Sequence, residues 1–230
     1  MAENEMFFEF EGKKIKVYPG PAGSPAVYVN SFEDEGDLLN QALKERNCPP
    51  HSLIVISHLV WGSDLSPWTC PPLFKGDDSY DGGADAWLSA LEGEIIPHVE
   101  ELLGRAPSFR LIAGYSLAGL FSVYALYKSS CFSRAASMSG SLWFPDFLAY
   151  TRSHEMACRP DALYFSLGDK ESRTRNAVMR TVGEKTEALY EDCRKAGLNT
   201  IFEWNPGNHF QDPEGRQARG IVWALSQKKE

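Results

Sequence analysis

The sequence predicts an α/β fold: a mostly parallel central sheet flanked by helices, with an antiparallel hairpin at the N-terminal edge. Three observations carry this. From residue 26 onward, short runs rich in β-branched and aromatic residues alternate with stretches of helical period. Two alternating segments joined by a tight turn precede them. The run over 53–57 is apolar almost throughout, as a strand covered on both faces must be. At 230 residues the chain suits one domain over 1–230, with little room for a cap.

In chain order, Phe8 and Phe10 alternate with glutamates, Glu11-Gly12 turns the chain, and Ile15 and Val17 alternate with Lys16 and Tyr18. A Pro/Gly segment over 19–23 ends this hairpin, and 26–30 is a strand by its composition. Asp37 is the expected N-cap of a helix over 38–46, with Leu38, Leu39, Ala42 and Leu43 on one stripe. After the strand at 53–57 comes a long irregular stretch over 58–83, of a length that is usually functional. Then follow a helix over 84–103, a strand at 109–114, a helix over 117–127 and a strand at 135–138. The last elements are a helix near 147–154, a strand at 163–167, a helix over 178–196, a strand at 200–204 and a helix near 216–226. The Lys/Glu-rich face near 184–195 reads as solvated.

Composition is that of an ordinary globular chain, 43% hydrophobic and 23% charged. With 23 basic against 31 acidic side chains the formal charge is −8, which argues against non-specific binding to nucleic acid or to an anionic membrane. No run is apolar enough to span a bilayer, and the N-terminus has no signal-like apolar region. Cys48, Cys70, Cys131, Cys158 and Cys193 are odd in number and form no CxxC pair, which reads as free thiols in a cytoplasmic protein.

The strongest local signal is Gly114-Tyr115-Ser116-Leu117-Ala118-Gly119, where a buried strand meets a helix. A serine on such a turn is lifted above the sheet, and small neighbours let strand and helix approach. The helix N-terminus points at it, so the Leu117 amide can stabilise a developing oxyanion. Ala118 stands where the second glycine of G-x-S-x-G is usual, with Gly119 one residue later. The bland alternative is that the glycines only permit a tight turn.

A serine nucleophile needs a base. His209 lies in a glycine-bearing loop after the last strand, which fits the chain order serine, acid, histidine. His58 and His98 precede the serine, and His154 falls before the acid. The loop Gly168-Asp169-Lys170-Glu171 offers two acids; Glu171 has the three-residue offset from glycine, and Asp169 remains the alternative. The second oxyanion donor is expected in Asn30-Ser31-Phe32, from the Phe32 amide or that of Ser31. This chemistry requires no metal and no cofactor.

With these residues placed, the chain resembles the esterase family that contains S-formylglutathione hydrolase (esterase D) and the enterochelin-type esterases. Gly82-Gly83-Ala84-Asp85-Ala86-Trp87-Leu88, before a helix ending in Ile95-Ile96-Pro97, is similar to that family's GGA-x-x-F-L…L-I-P segment. Ser139-Gly140-Ser141-Leu142-Trp143 is similar to its S-P-S-L-W run, and Gly207-Asn208-His209 to its histidine loop. The resemblance implies the α/β-hydrolase fold without a cap domain and attack on a carboxylic ester through an acyl-enzyme. It implies Ser116 as nucleophile, His209 as base and the 168–171 loop as acid donor. Gly140 replaces the family's proline, Ser31 replaces a glycine, and no arginine cluster stands out that would hold an anionic catecholate siderophore. The substrate is therefore not carried over.

Trp61, Trp68, Trp87, Trp143 and Phe210 are candidates to wall an apolar substrate pocket, the alternative being that they are core. The expectation is a serine carboxylesterase acting on a small soluble ester. An acyltransferase or thioesterase with the same serine is the alternative, and a non-catalytic binding scaffold the third reading. The natural ester and the oligomeric state are not legible.

Overall fold

The computed structural model describes residues 5–72 and 79–228. Strands β1 (Met6–Phe10) and β2 (Lys13–Tyr18) form the expected hairpin, turned at Glu11 and Gly12, both at positive φ. Strand β3 (Ala26–Asn30) leads to helix α1, which spans Gly36–Glu45. Asp37 is not its N-cap: Glu35 occupies that position. The Asp37 carboxylate instead accepts hydrogen bonds from Lys16 Nζ (2.6 Å) and Tyr18 Oη (2.7 Å), tying α1 to β2.

Strand β4 (Ser52–Ser57) is buried along its whole length. The stretch over 58–83 holds more structure than its composition suggests: helix α2 (Trp61–Asp64) and a two-stranded ribbon of β5 (Thr69–Cys70) and β6 (Tyr80–Asp81). Residues 73–78 of that stretch lie outside the described residues. The helix expected over 84–103 is α3 (Ala84–Ala90) and α4 (Ile96–Leu102), joined by a π-helical turn over Leu91–Ile95.

Strand β7 (Arg110–Tyr115) runs into helix α5 (Leu117–Lys128), followed by β8 (Arg134–Met138) and α6 (Phe147–Ser153). Strand β9 (Ala162–Gly168), helix α7 (Val182–Lys195) and β10 (Thr200–Asn205) come next. Helix α8 (Pro213–Ser226) starts three residues before its expected position, with Pro213 at N1, where its missing N–H costs nothing.

The main sheet has eight strands in the order β1-β2-β4-β3-β7-β8-β9-β10. From β4 through β10 all neighbours are parallel; β1 and β2 are antiparallel. The chain runs outward from β3 to β4 and then returns to the other side of β3 as β7. This reversal opens a crevice at the carboxyl ends of β3 and β7, where doubly wound sheets place their ligands.

Alternate residues of each strand face opposite layers. Ala26 and Tyr28 pack with α3, α4 and α5 on one side, while Val27 and Val29 pack with α1 and α8 on the other. Helix α5 is buried from Leu117 to Leu126, which explains why it reads as apolar all round rather than as a stripe. At the far end Arg134, 2% exposed, lies with its guanidinium 3.9 Å from the centre of the Phe109 ring. Its Nη1 donates to the Ala224 carbonyl (2.6 Å), satisfying the C-terminal end of α8.

Candidate active site

The turn from β7 to α5 holds Ser116 at φ 59°, ψ −124°, a conformation that side chains rarely adopt. The surrounding backbone enforces it. A Cβ on Gly114 would lie 2.4 Å from the carbonyl of Ala118, and one on Gly119 would lie 2.9 Å from Cα of Gly140. Gly140, which stands where a proline is usual, thus abuts the same turn. The Ser116 N–H donates to Met138 O (3.2 Å), and its carbonyl accepts from Gly119, Leu120 and Ser141. The strained residue is held by strand, helix and the 139–141 loop together.

His209 reaches the serine from the loop after β10. Its Nε2 lies 3.0 Å from Ser116 Oγ, and its Nδ1 lies 2.7 Å from Glu171 Oε2. The two acids of the 168–171 loop separate in role. Glu171, its side chain 5% exposed, meets the imidazole, whereas Asp169 Oδ1 accepts the Gly207 N–H at 2.7 Å. Asp169 therefore braces the histidine loop from below and does not reach the ring.

Glu171 has a second set of partners. Its Oε1 accepts from the Gly168 N–H (2.8 Å), Ser139 Oγ (2.7 Å) and Arg216 Nη1 (3.0 Å). Burial alone would raise its carboxyl; the bond and charge of His209, with Ser139 and the Gly168 amide, outweigh that and hold it below the ordinary glutamate range. Arg216, 1% exposed, also donates to Tyr115 Oη, Ser139 Oγ and the carbonyls of Pro206 and Asn208. Tyr115 Oη in turn donates to the His209 carbonyl (2.7 Å). Glu171, the His209 loop and the strand leading to Ser116 thus converge on one buried guanidinium.

Arg216, Tyr115 and Ser139 join the site without being candidates from the sequence. A signal for Arg216 exists: it lies four and eight residues before Gly220 and Ala224, on the buried stripe of α8. An arginine on such a stripe needs several buried acceptors.

Above Ser116, Leu117 is the first residue of α5, so its N–H has no intrahelical acceptor. In the β3 loop the Ser31 N–H is committed to Ile56 O (2.8 Å), while the Phe32 N–H has no acceptor among the described residues. A cleft of about 600 Å³ includes Ser116, His209, Trp61 and Trp143, and a second of about 310 Å³ extends from Ser116 toward the end of β3. Phe32, Trp61 and Phe210 wall both, and Phe210 is 85% exposed at the rim.

Trp68 does not reach either cleft. Its ring packs among Phe144, Phe147 and Tyr150, and its Nε1 donates to Pro145 O (3.2 Å), because α6 offers a closer apolar partner than the cleft does. Trp87 is likewise core, 4% exposed, with its indole N–H on Asn30 Oδ1 (3.2 Å) beneath the β3 loop. Of the other histidines, His98 stands edge-on to Phe8 and His154 stacks on Tyr150, both away from the serine.

The chain and its fold have counterparts among known proteins. The model of the family described as "Putative esterase" matches residues 18–202. YbbA of Bacillus subtilis, an uncharacterized protein, is 29% identical over 185 residues, which cover 76% of this chain and 73% of the relative. An IroE-like serine hydrolase from Shewanella oneidensis superposes with a TM-score of 0.82 at 20% identity, over 96% of this chain and 79% of its own. The siderophore hydrolase EstA from Aspergillus nidulans gives 0.75 at 20% identity, over 97% and 95%. At that identity the two structures establish the fold, and the family match establishes the lineage: the chain is an α/β-hydrolase-fold member of this esterase family.

Proposed function

We propose that this protein is a serine-dependent carboxylic ester hydrolase working through an acyl-enzyme on a small ester. The observation that carries the reading is the contiguous line Ser116 Oγ, His209, Glu171, with contacts of 3.0 and 2.7 Å, on a strained strand-to-helix turn. In this reading His209 Nε2 takes the Ser116 proton as Oγ attacks the carbonyl carbon. The Leu117 and Phe32 amides receive the developing oxyanion, each worth about 3 kcal/mol. His209 returns the proton to the leaving alcohol, and a water repeats the sequence on the acyl-enzyme. Glu171 fixes the imidazole tautomer and stabilises the imidazolium; Asp169 takes no part in proton transfer. Trp61, Trp143 and Phe210 flank the ester, and Trp68 does not.

The family's esterase character and the hydrolase neighbours support the chemistry without identifying the ester. Among the described residues no helix is long and apolar enough to cross a membrane. All five cysteines are free, in keeping with a cytoplasmic setting.

The test is intact mass after fluorophosphonate treatment, with turnover of p-nitrophenyl acetate and butyrate in parallel. A single adduct that disappears with Ser116→Ala, and turnover lost in Ser116→Ala and His209→Ala, is the expected result. Full turnover by Ser116→Ala would sink the reading.

A further inference from the structure

The two lobes of the cleft meet at Ser116, and their charged groups are opposite in sign. The larger lobe extends over the ends of β8 and β9, where Lys170 and Arg173 line it. Neither side chain has a hydrogen-bond or ion-pair partner among the described residues. Several cations elsewhere are paired: Lys13 with Asp64 (3.2 Å), Arg110 with Glu100 (2.6 Å), Lys128 with Asp85 (2.9 Å) and Arg152 with Asp192 (2.7 Å). Arg46, Arg105, Arg175 and Lys195 also have no side-chain hydrogen-bond or ion-pair partner among the described residues, but Lys170 and Arg173 are the lysine and arginine that line the cleft beside Ser116, in a chain whose net charge is −8.

Their loop holds them there. The Lys170 N–H donates to Gly207 O (3.0 Å) and the Arg173 N–H to Lys170 O (3.0 Å), while Glu171 between them is anchored inward. Glu171 is the one carboxylate among the described residues lining this lobe, and His209, Ser139 and Arg216 already engage it. The smaller lobe is lined by Glu35 instead. Glu35 accepts from Ser31 Oγ (3.3 Å); burial first, and then the charges of Glu214 and Glu33, push its carboxyl up. An anion placed in that lobe meets acidic groups.

We infer that the substrate is an ester carrying an anionic group on one arm, seated against Lys170 and Arg173 in the larger lobe, with its uncharged arm beside Glu35. This rests on the reading of Ser116 as nucleophile. Charge then decides which way round the ester binds: the reversed pose moves the anion from two cations to a carboxylate. Exposed pairs act weakly, so both cations together supply about tenfold in affinity, and salt screens it.

The experiment measures affinity in Ser116→Ala protein by calorimetry, where hydrolysis cannot interfere, with wild-type turnover of the same compounds alongside. Monobutyl succinate is compared with its neutral isostere butyl levulinate. The butanoate ester of hydroxypropanoate is compared with its methyl-ketone analogue, so each pair places the carboxylate on a different arm. Expected is about tenfold tighter binding of the charged member in one pair, collapsing in about 0.5 M salt and in the Lys170→Gln/Arg173→Gln double variant. Equal or weaker binding of the charged member in both pairs overturns the inference. So does a preference that survives the double substitution in folded protein. Charge-dependent binding with no wild-type turnover would instead overturn the catalytic reading and leave the lobe assignment standing.

Discussion

The Ser116 turn and the loops that carry Glu171 and His209 are positioned by different physics. At the turn, contact between backbones does the work: Gly114 and Gly119 leave no room for a Cβ, and Ser116 is forced into its conformation. On the other side, Glu171 and His209 sit on loops placed by hydrogen bonds to Arg216, Asp169 and Tyr115. A steric clamp tolerates almost no change in shape, whereas a polar clamp tolerates changes that keep its donors and acceptors. Substitutions on the two sides should therefore fail in different ways.

The largest expected effect tests the junction of the two regions: Ser116→Ala should lower kcat/KM for p-nitrophenyl butyrate by at least about 10⁴-fold while leaving the melting temperature close to wild type. Next comes Glu171→Gln, with a loss of roughly 10³-fold, because the amide no longer balances an imidazolium. It also has a stability signature. The Glu171 carboxyl is held below its ordinary value of 4.5, so its contribution to stability is present above that pH and is lost as pH falls through the lower folded value. Thermal melts from neutral to acid pH should show this loss in wild type and a flatter dependence in Glu171→Gln.

Gly114→Ala probes the steric clamp and should cost about 3 kcal/mol in denaturant unfolding, with fluorophosphonate labelling lost even in the folded fraction. Arg216→Gln probes the polar clamp. It leaves Glu171 buried without its cation, at about 3 kcal/mol, and loosens the His209 loop, so labelling of Ser116 should slow but not vanish, since the glycine-framed turn keeps its shape. Equal loss of labelling in both variants would erase the distinction. The smallest effect belongs to Asp169→Asn, whose amide oxygen can still accept the Gly207 N–H. Less than about 1 kcal/mol and little change in turnover are expected, and a loss as large as that of Glu171→Gln would reverse the roles given to the two acids.

The same contrast explains what could be read from the sequence. Strand–helix alternation, the hairpin and the Ser116 turn are local patterns, and the structure places them within a few residues of expectation. The choice between Asp169 and Glu171 was not local: it depends on how the loop after β10 crosses the loop after β9. For Arg216 the sequence carries only its place on the buried stripe of α8; its role is not local either, since its acceptors come from four separate segments of the chain. Trp68 was misplaced because an indole suits an aromatic core as well as a pocket, and only the position of α6 decides which. The N-cap expected at Asp37 failed because a lysine and a tyrosine on the neighbouring strand compete for its carboxylate.

The late position of His209 and of α8 in the chain also sets a birth order for the site. Synthesis runs from the N-terminus, so the Ser116 turn leaves the ribosome well before residues 205–226. A nascent chain can close the β3–β7 crevice and form the turn while its serine has no imidazole beside it. Glu171, too, emerges before the guanidinium that neutralises it. On the proposed mechanism the serine stays silent until residues 205–226 have followed it out, and the docking of one helix, α8, coincides with the moment the site is whole.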